Sequence, residues 1–186
     1  MSATGSRNNI ASARSGETAG ALDWGFALKI TLFAAAAGIV PSLGLRQEIT
    51  GPLVNAMLLL AVGAVGIPSA MALGALPSLV AIGRGTHPVA LLPMVPFIIL
   101  GNAAFVGVFG MCHRGRGYAL ASGFASVVKL AVLSLAATYV VQLPGPLAAM
   151  MGLPQLYTAL AGAVLAYGAE KAGPIARARL SSLLGW

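Results

Sequence analysis

The sequence predicts an all-α integral membrane protein, a bundle of about six transmembrane helices with both termini in the cytoplasm. Its 186 residues are 58% hydrophobic and only 8% charged, whereas a typical soluble domain is about 25% charged. The mean hydropathy is +0.89. Six membrane helices of about 20 residues each would use roughly 120 residues, which fits this length with short loops and two tails. The composition therefore excludes a soluble globular fold and a disordered chain.

Composition also divides the chain into three parts. Residues 1–22 consist mainly of Ser, Gly, Ala, Thr and Asn, so we expect a flexible cytoplasmic tail. Residues 23–169 hold the apolar segments and form the predicted six-helix transmembrane bundle, which would bind the substrate. Residues 170–186 mix basic and apolar side chains, and Pro174 suits a helix start. This last part is predicted to be a basic tail or a short helix lying at the membrane surface.

The first predicted span covers residues 24–44. Trp24 is expected to anchor this helix at the membrane interface, and Lys29 can extend back to the headgroups. A run of small residues, 34–38, allows another helix to approach closely.

The second and third spans share residues 51–83. Gly-Ile-Pro at residues 66–68 divides this segment, and each half is short for a full crossing of the bilayer. Pro77 is expected to kink or interrupt the third span. We therefore predict tilted, kinked or incomplete helices here.

Three further apolar segments complete the bundle, at residues 89–110, 118–142 and 147–169. Between them, residues 111–117 are polar and basic and are predicted to form a loop. Residues 143–146, Leu-Pro-Gly-Pro, are predicted to form a tight turn.

The positive charges predict the orientation of the bundle, because cytoplasmic loops carry an excess of Lys and Arg. Of the 11 Lys and Arg residues, two (Arg46 and Arg84) would lie outside, Lys129 lies within the fifth span, and eight would lie inside. The inner set is Arg7, Arg14, Lys29, Arg114, Arg116, Lys171, Arg177 and Arg179. This bias agrees with an even number of spans and with cytoplasmic termini.

The sequence also excludes several classes of function. The net charge of +7 is explained by this inner bias and by anionic lipid, so no nucleic-acid partner is expected. Cys112 is the single cysteine, which excludes an internal disulfide and a metal site or cluster built from several thiolates. No phosphate-binding ATPase motif and no hydrolase motif is present. We therefore expect no enzyme activity, no cofactor and no metal, and any pumping would need energy from a partner.

Lys129 is the one charge placed in the middle of a predicted span. An ionised Lys at the centre of a membrane helix costs about 2.5–3.5 kcal/mol on insertion scales, so such residues usually face a cavity or a partner. Ser122, Ser126, Lys129 and Leu133 share one helical face by their spacing. This mostly polar face should point inward. Lys129 would then pair with an anionic group of a substrate, unless it reaches the headgroups or bonds backbone carbonyls.

Asn55, Asn102 and Gln155 are the other polar residues inside apolar stretches. Each is either a substrate partner or a clamp between helices, since interhelical polar bonds are common. Together with Ser126 and Lys129 they predict a polar lining on the second, fourth, fifth and sixth spans.

Four short strings carry a resemblance to a known family. They are Thr-Gly-Pro-Leu-Val-Asn-Ala at residues 50–56, Pro-Met-Val-Pro-Phe-Ile at 93–98, Ser-Val-Val-Lys at 126–129 and Pro-Gln-Leu at 154–156. With the length and the six spans, they resemble the substrate-binding S components of energy-coupling factor (ECF) transporters. The resemblance is to an uncharacterised branch whose members are sometimes labelled "iron hydrogenase", a chemistry that the lone Cys112 cannot support.

The resemblance implies a fold, partners and a docking surface. S components usually have six spans and cytoplasmic termini, and they assemble with a membrane T subunit and ABC ATPases in the cytoplasmic membrane of bacteria. Family members dock through small residues of the first helix, which implies Ala34 and Gly38 here. The resemblance implies that the chain captures a small water-soluble nutrient, and Lys129 suggests a substrate with an anionic or carbonyl group.

Two other classes of function stay open at this stage. A structural membrane anchor of a redox or other complex would need an exposed docking face but no closed polar pocket. A small solitary carrier or channel would need an open polar path through the bundle.

Overall fold

The computed structural model describes residues 23–184, and this part of the chain is helical throughout, with short connections. In chain order the elements are α1 (Trp24–Ser42), α2 (Gln47–Val65), α3 (Ile67–Leu73), α4 (Leu76–Gly83), a 3₁₀ helix (Val89–Met94), α5 (Val95–Arg116), α6 (Tyr118–Leu135), a π-helical segment (Ala136–Val140), α7 (Gly145–Met150) and α8 (Leu153–Leu184).

These helices make the chain a multi-pass membrane protein. Five helical stretches of the described chain are long and apolar enough to cross a membrane, and a shorter apolar stretch, Ile67–Gly83, accompanies them. Large apolar side chains such as Leu28, Leu120 and Val164 remain exposed on the outer faces, as expected where lipid replaces water. The predicted all-α bundle of about six membrane helices is confirmed.

The third span is broken, as predicted. Gly66 ends α2 with a φ of 85°, a conformation that glycine adopts readily. The chain then forms two short helices, α3 and α4, which are separated at Gly74. Pro68 and Pro77 lie in the first turns of these helices, where a proline costs no hydrogen bond.

Two predicted boundaries were wrong because each was placed where the hydrophobic segment ends. Helix α2 begins at Gln47 rather than at residue 51, since Pro52 is tolerated in its first turns. Residues 111–116, predicted as a loop, continue α5 to Arg116, and Gly117 with a φ of 79° ends the helix. Basic side chains in the last turn favour this extension because they complement the helix dipole.

The last segment also differs from the prediction. The turn before residue 147 leads into a short helix, α7, and the long helix α8 begins at Leu153. Helix α8 then runs through Pro174 to Leu184, so no separate helix begins at Pro174. A proline removes one backbone hydrogen bond but does not oblige a helix to end. The predicted tail of residues 1–22 lies outside the described residues.

Helix α2 lies at the centre of the bundle and packs closely against α8. A Cβ atom added at Gly51 would lie 2.8 Å from the Thr158 side chain, and one at Gly162 would lie 2.6 Å from Asn55 Cβ. The two glycines therefore allow the helices to approach to backbone contact. This contact fixes the height and rotation of Asn55 within the bundle.

The orientation of the bundle leads to a labelling prediction. Arg84 and Arg114 are both exposed and lie at opposite ends of the bundle. In a Cys112→Ala background, we expect Arg84→Cys to react with a membrane-impermeant maleimide in intact cells. Arg114→Cys should react only after permeabilisation, because the inner side carries most of the basic residues. The reverse labelling pattern would invert the predicted topology.

Candidate functional site

A cavity of about 330 Å³ opens at one end of the bundle. It is bordered by the last turn of α1, the first turns of α2 and α8, one side of α4 and the following loop, and α7. Arg114, Arg116 and Lys171 lie at the other end of the bundle. The distribution of positive charge predicts that the cavity end is the outer one.

Lys129 forms the floor of this cavity together with two asparagines. Its Nζ donates to Asn55 Oδ1 at 2.6 Å and to Asn102 Oδ1 at 2.8 Å. The exposed fractions of Lys129, Asn55 and Asn102 are 4%, 2% and 3%, and all three border the cavity. The structure thus brings together side chains from α2, α5 and α6 that the sequence placed on separate spans.

The break between α3 and α4 orients Asn102. The Asn102 Nδ2 donates to the Gly74 carbonyl oxygen at 2.8 Å, and this hydrogen bond directs the amide oxygen toward Lys129. A Cβ atom added at Gly74 would lie 3.1 Å from Asn102 Cβ. The backbone between α3 and α4 therefore nearly touches α5 at this point. A helix break within the membrane therefore supplies the acceptor that positions the cavity floor.

The charge of Lys129 has no acidic partner in the cavity. No Asp or Glu borders the cavity among the described residues, and the ion pair found in this part of the chain joins Arg46 and Glu48 at the surface. Since an ammonium group has three N–H donors and two are used by the asparagines, one is left for a further acceptor. A buried charge without a counterion favours binding of an anion.

Below the floor the bundle is closed by aromatic side chains. Lys129 Nζ lies 5.4 Å from the centre of the Phe105 ring, within the range of a cation–π contact. Phe105 and Phe109 are both buried in a cluster that joins α2, α5, α6 and α8. The cavity is thus a pocket with a closed base rather than a path through the bundle.

Gln155 reaches the same cavity from the start of α8. Its Nε2 donates to the Met150 carbonyl oxygen at 3.2 Å, which ties α7 to α8. The amide oxygen of Gln155 makes no hydrogen bond within residues 23–184, so it is free to accept one from a ligand.

Ser126 does not line the cavity, although it lies on the predicted inward face. Ser122, Ser126, Lys129 and Leu133 are all buried, which confirms that face. Ser126 is one turn further from the opening, however, and its hydroxyl donates to the Ser122 carbonyl oxygen at 2.7 Å. This back-bonding within the helix uses the hydroxyl proton, so Ser126 belongs to the packing of α6.

Sequence reasoning missed Ser78 and His87 as cavity residues. Ser78 is 6% exposed and borders the cavity from α4. His87 lies at the mouth, with Nε2 3.4 Å from the Leu91 carbonyl oxygen. The sequence held one signal for Ser78, which is the similarity between Val-Pro-Ser-Leu at residues 40–43 and Leu-Pro-Ser-Leu at 76–79. The proline of each string borders the cavity.

The small residues of α1 lie partly against helices of this same chain. Ala34 packs against the core cluster that α1, α2 and α3 share. A Cβ atom at Gly38 would lie 3.8 Å from Val80 Cγ2 of α4. Both residues remain partly exposed, so docking of a partner through Ala34 and Gly38 stays a prediction. The most exposed side of α1 carries Leu28, Leu32 and Ile39.

The end of the bundle opposite the cavity carries an aromatic cluster. His113 stacks on Phe109 with ring centres 5.0 Å apart and meets Tyr118 edge-on at 5.5 Å. Among the described residues, no group of three His, Cys, Asp or Glu side chains is placed to hold a metal ion. Cys112 packs against the cluster that joins α2, α5, α6 and α8, and His113 stacks on Phe109 of the same cluster.

No family model, curated protein or solved structure matches the chain. The cavity itself offers an ammonium donor, two asparagine amides and a glutamine carbonyl to one small volume. Sites that bind small molecules are typically concave, mostly apolar and supplied with a few convergent polar groups. This cavity has that character.

Proposed function

We propose that this chain is the substrate-capture subunit of an ECF-type importer in the cytoplasmic membrane of a bacterium. Its ligand would be a small water-soluble nutrient with an anionic or carbonyl group. The observation that carries the proposal is the pocket at the outer end of the bundle, where the charge of Lys129 has two amide partners and no carboxylate.

The closed base of the pocket favours capture over conduction. A channel needs a continuous polar path, but Phe105 and Phe109 fill the bundle beneath Lys129. Release toward the cytoplasm would then require the whole bundle to move or tilt. Because the sequence holds no ATPase motif, that movement would be driven by ATP hydrolysis on ABC subunits joined through a membrane T subunit.

Affinity purification tests this proposal. The tagged chain, extracted in mild detergent from its own host, is expected to retain a T-type membrane protein and ABC ATPases. The complex should release its bound small molecule only when ATP is hydrolysed. An ATPase variant that cannot hydrolyse ATP provides the matched control, because assembly should persist while release stops.

Two results would contradict the proposal. Retention of redox enzyme subunits without ATPases would favour a structural membrane anchor. Uptake of a solute by the purified chain alone in liposomes would favour a solitary carrier.

A further inference from the structure

The cavity changes character from its floor to its walls. The floor is polar and carries Lys129, Asn55 and Asn102, whereas the walls above it are mainly aliphatic and thioether side chains, with Ser78 and Gln155 among the polar exceptions. The wall residues include Val54, Pro77, Leu91, Ile98 and Met151. A ligand that satisfies both parts must have a polar head and an apolar body.

We infer that the pocket selects a small amphipathic monocarboxylate, which enters head first and places its carboxylate on Lys129. This inference names the substrate class of the proposed importer. Transport of the ligand rests on that proposed function, whereas binding of the ligand does not. Its grounds are the donors of the floor, the charge balance of the cavity, and the size and polarity of the walls.

The donors of the floor match the two oxygens of a carboxylate. Lys129 has one N–H that neither asparagine uses. The Asn55 amide nitrogen has no acceptor among the described residues, while Asn55 borders the cavity. A carboxylate can accept from both groups at once, and a hydrogen bond between charged partners is stronger than one to a neutral carbonyl.

The charge balance of the cavity favours one negative charge. Lys129 is the only Lys or Arg that borders it within residues 23–184, and no carboxylate borders it. The one other titratable group of the lining, His87, lies half-buried at the mouth. A dianion would leave one buried charge without a partner, and a cation would meet Lys129 with no acid to offset it.

The walls limit the size of the body. A volume of about 330 Å³ lies at the small end of the roughly 300–1,000 Å³ range of ligand pockets. Leu91 and Met151 are almost fully buried and belong to one packed cluster, which gives the body a firm apolar surface. A single ring or a short hydrocarbon chain suits this space.

A matched set of four probes tests the inference on the full chain in lipid nanodiscs. The probes are 3-phenylpropanoate, its amide 3-phenylpropanamide, the amine 3-phenylpropylamine and the dicarboxylate benzylmalonate, all with the same ring. Calorimetric titration should give the monocarboxylate at least tenfold tighter binding than the amide. The amine and the dicarboxylate should not bind detectably at the same concentrations.

Three outcomes would overturn the inference. They are equal binding of acid and amide, binding of the amine or the dicarboxylate as tight as that of the monocarboxylate, and binding of none of the four. The titration uses the chain without ATPases, so its result is independent of assembly. If the chain binds the monocarboxylate selectively but co-purifies with no ATPase, the inferred ligand class stands and the proposed importer function is rejected.

Discussion

Replacing Lys129 by Met is expected to weaken binding of 3-phenylpropanoate at least tenfold, or about 1.4 kcal/mol. The ammonium group is the only cation on the cavity floor in the described chain. Met has a similar length and an apolar end, so it fills the same space without a charge. Calorimetric titration in nanodiscs measures the loss directly.

The same substitution is expected to leave the melting temperature unchanged or to raise it. A charged Lys near the centre of a membrane helix costs about 2.5–3.5 kcal/mol, and Met removes this cost. Asn55 and Asn102 would each lose a donor, but both border the cavity, where water can replace it. A structural lysine would give the opposite pair of results, namely a lower melting temperature and unchanged affinity in the folded fraction.

Lys29→Met supplies the matched control for this experiment. Lys29 is exposed on α1 and does not border the cavity, so the substitution makes the same chemical change outside the site. We expect its affinity for 3-phenylpropanoate to equal that of the unmodified chain. An equal loss in both variants would show that overall charge, and not the cavity floor, governs binding.

The part of the site that follows from helical spacing was predictable. Ser122, Ser126, Lys129 and Leu133 lie three or four residues apart, and the structure buries all of them. The cost of a charge within an apolar span singled out Lys129 without any knowledge of its neighbours. Spacing shows which residues share a face of one helix, but not how far each lies from the cavity. It therefore could not distinguish Lys129, which reaches the cavity, from Ser126, which hydrogen-bonds within its own helix.

The part of the site that depends on which helices are neighbours could not be predicted from the sequence. Asn55 is 74 residues from Lys129 along the chain and Asn102 is 27 residues away, and no local pattern states that these helices meet. The acceptor that orients Asn102 is the backbone carbonyl of Gly74, which becomes available through a helix break and carries no side-chain signal. The same limit applies to Ala34 and Gly38, since small residues show that a helix can approach closely but not which helix does so, and docking of a partner there stays a prediction.

The second large effect is expected at Gly162, where α8 meets α2. A Cβ atom at this position would lie 2.6 Å from Asn55 Cβ, 2.8 Å from the Pro52 carbonyl oxygen and 2.9 Å from the Ala56 nitrogen. Two of these atoms belong to the backbone of α2 and cannot rotate away, so Gly162→Ala must push the helices apart. Overpacking of this kind typically costs about 1–3 kcal/mol. The melting temperature in nanodiscs should fall accordingly.

Gly162→Ala should also weaken ligand binding, because the displaced backbone carries Asn55 away from Lys129. A second glycine variant separates this effect from a general change in helix composition. At Gly168, on the same helix, a Cβ atom would meet nothing within 4 Å among the described residues, so Gly168→Ala should be neutral or slightly stabilising, as alanine is the better helix former. At Gly51 a Cβ atom would lie 2.8 Å from both Cβ and Cγ2 of Thr158. A rotamer change moves Cγ2 but not Cβ, so Gly51→Ala also requires a backbone shift and should likewise lower the melting temperature. If Gly162→Ala melts and binds like Gly168→Ala, the close contact of α2 and α8 does not hold the cavity floor in place.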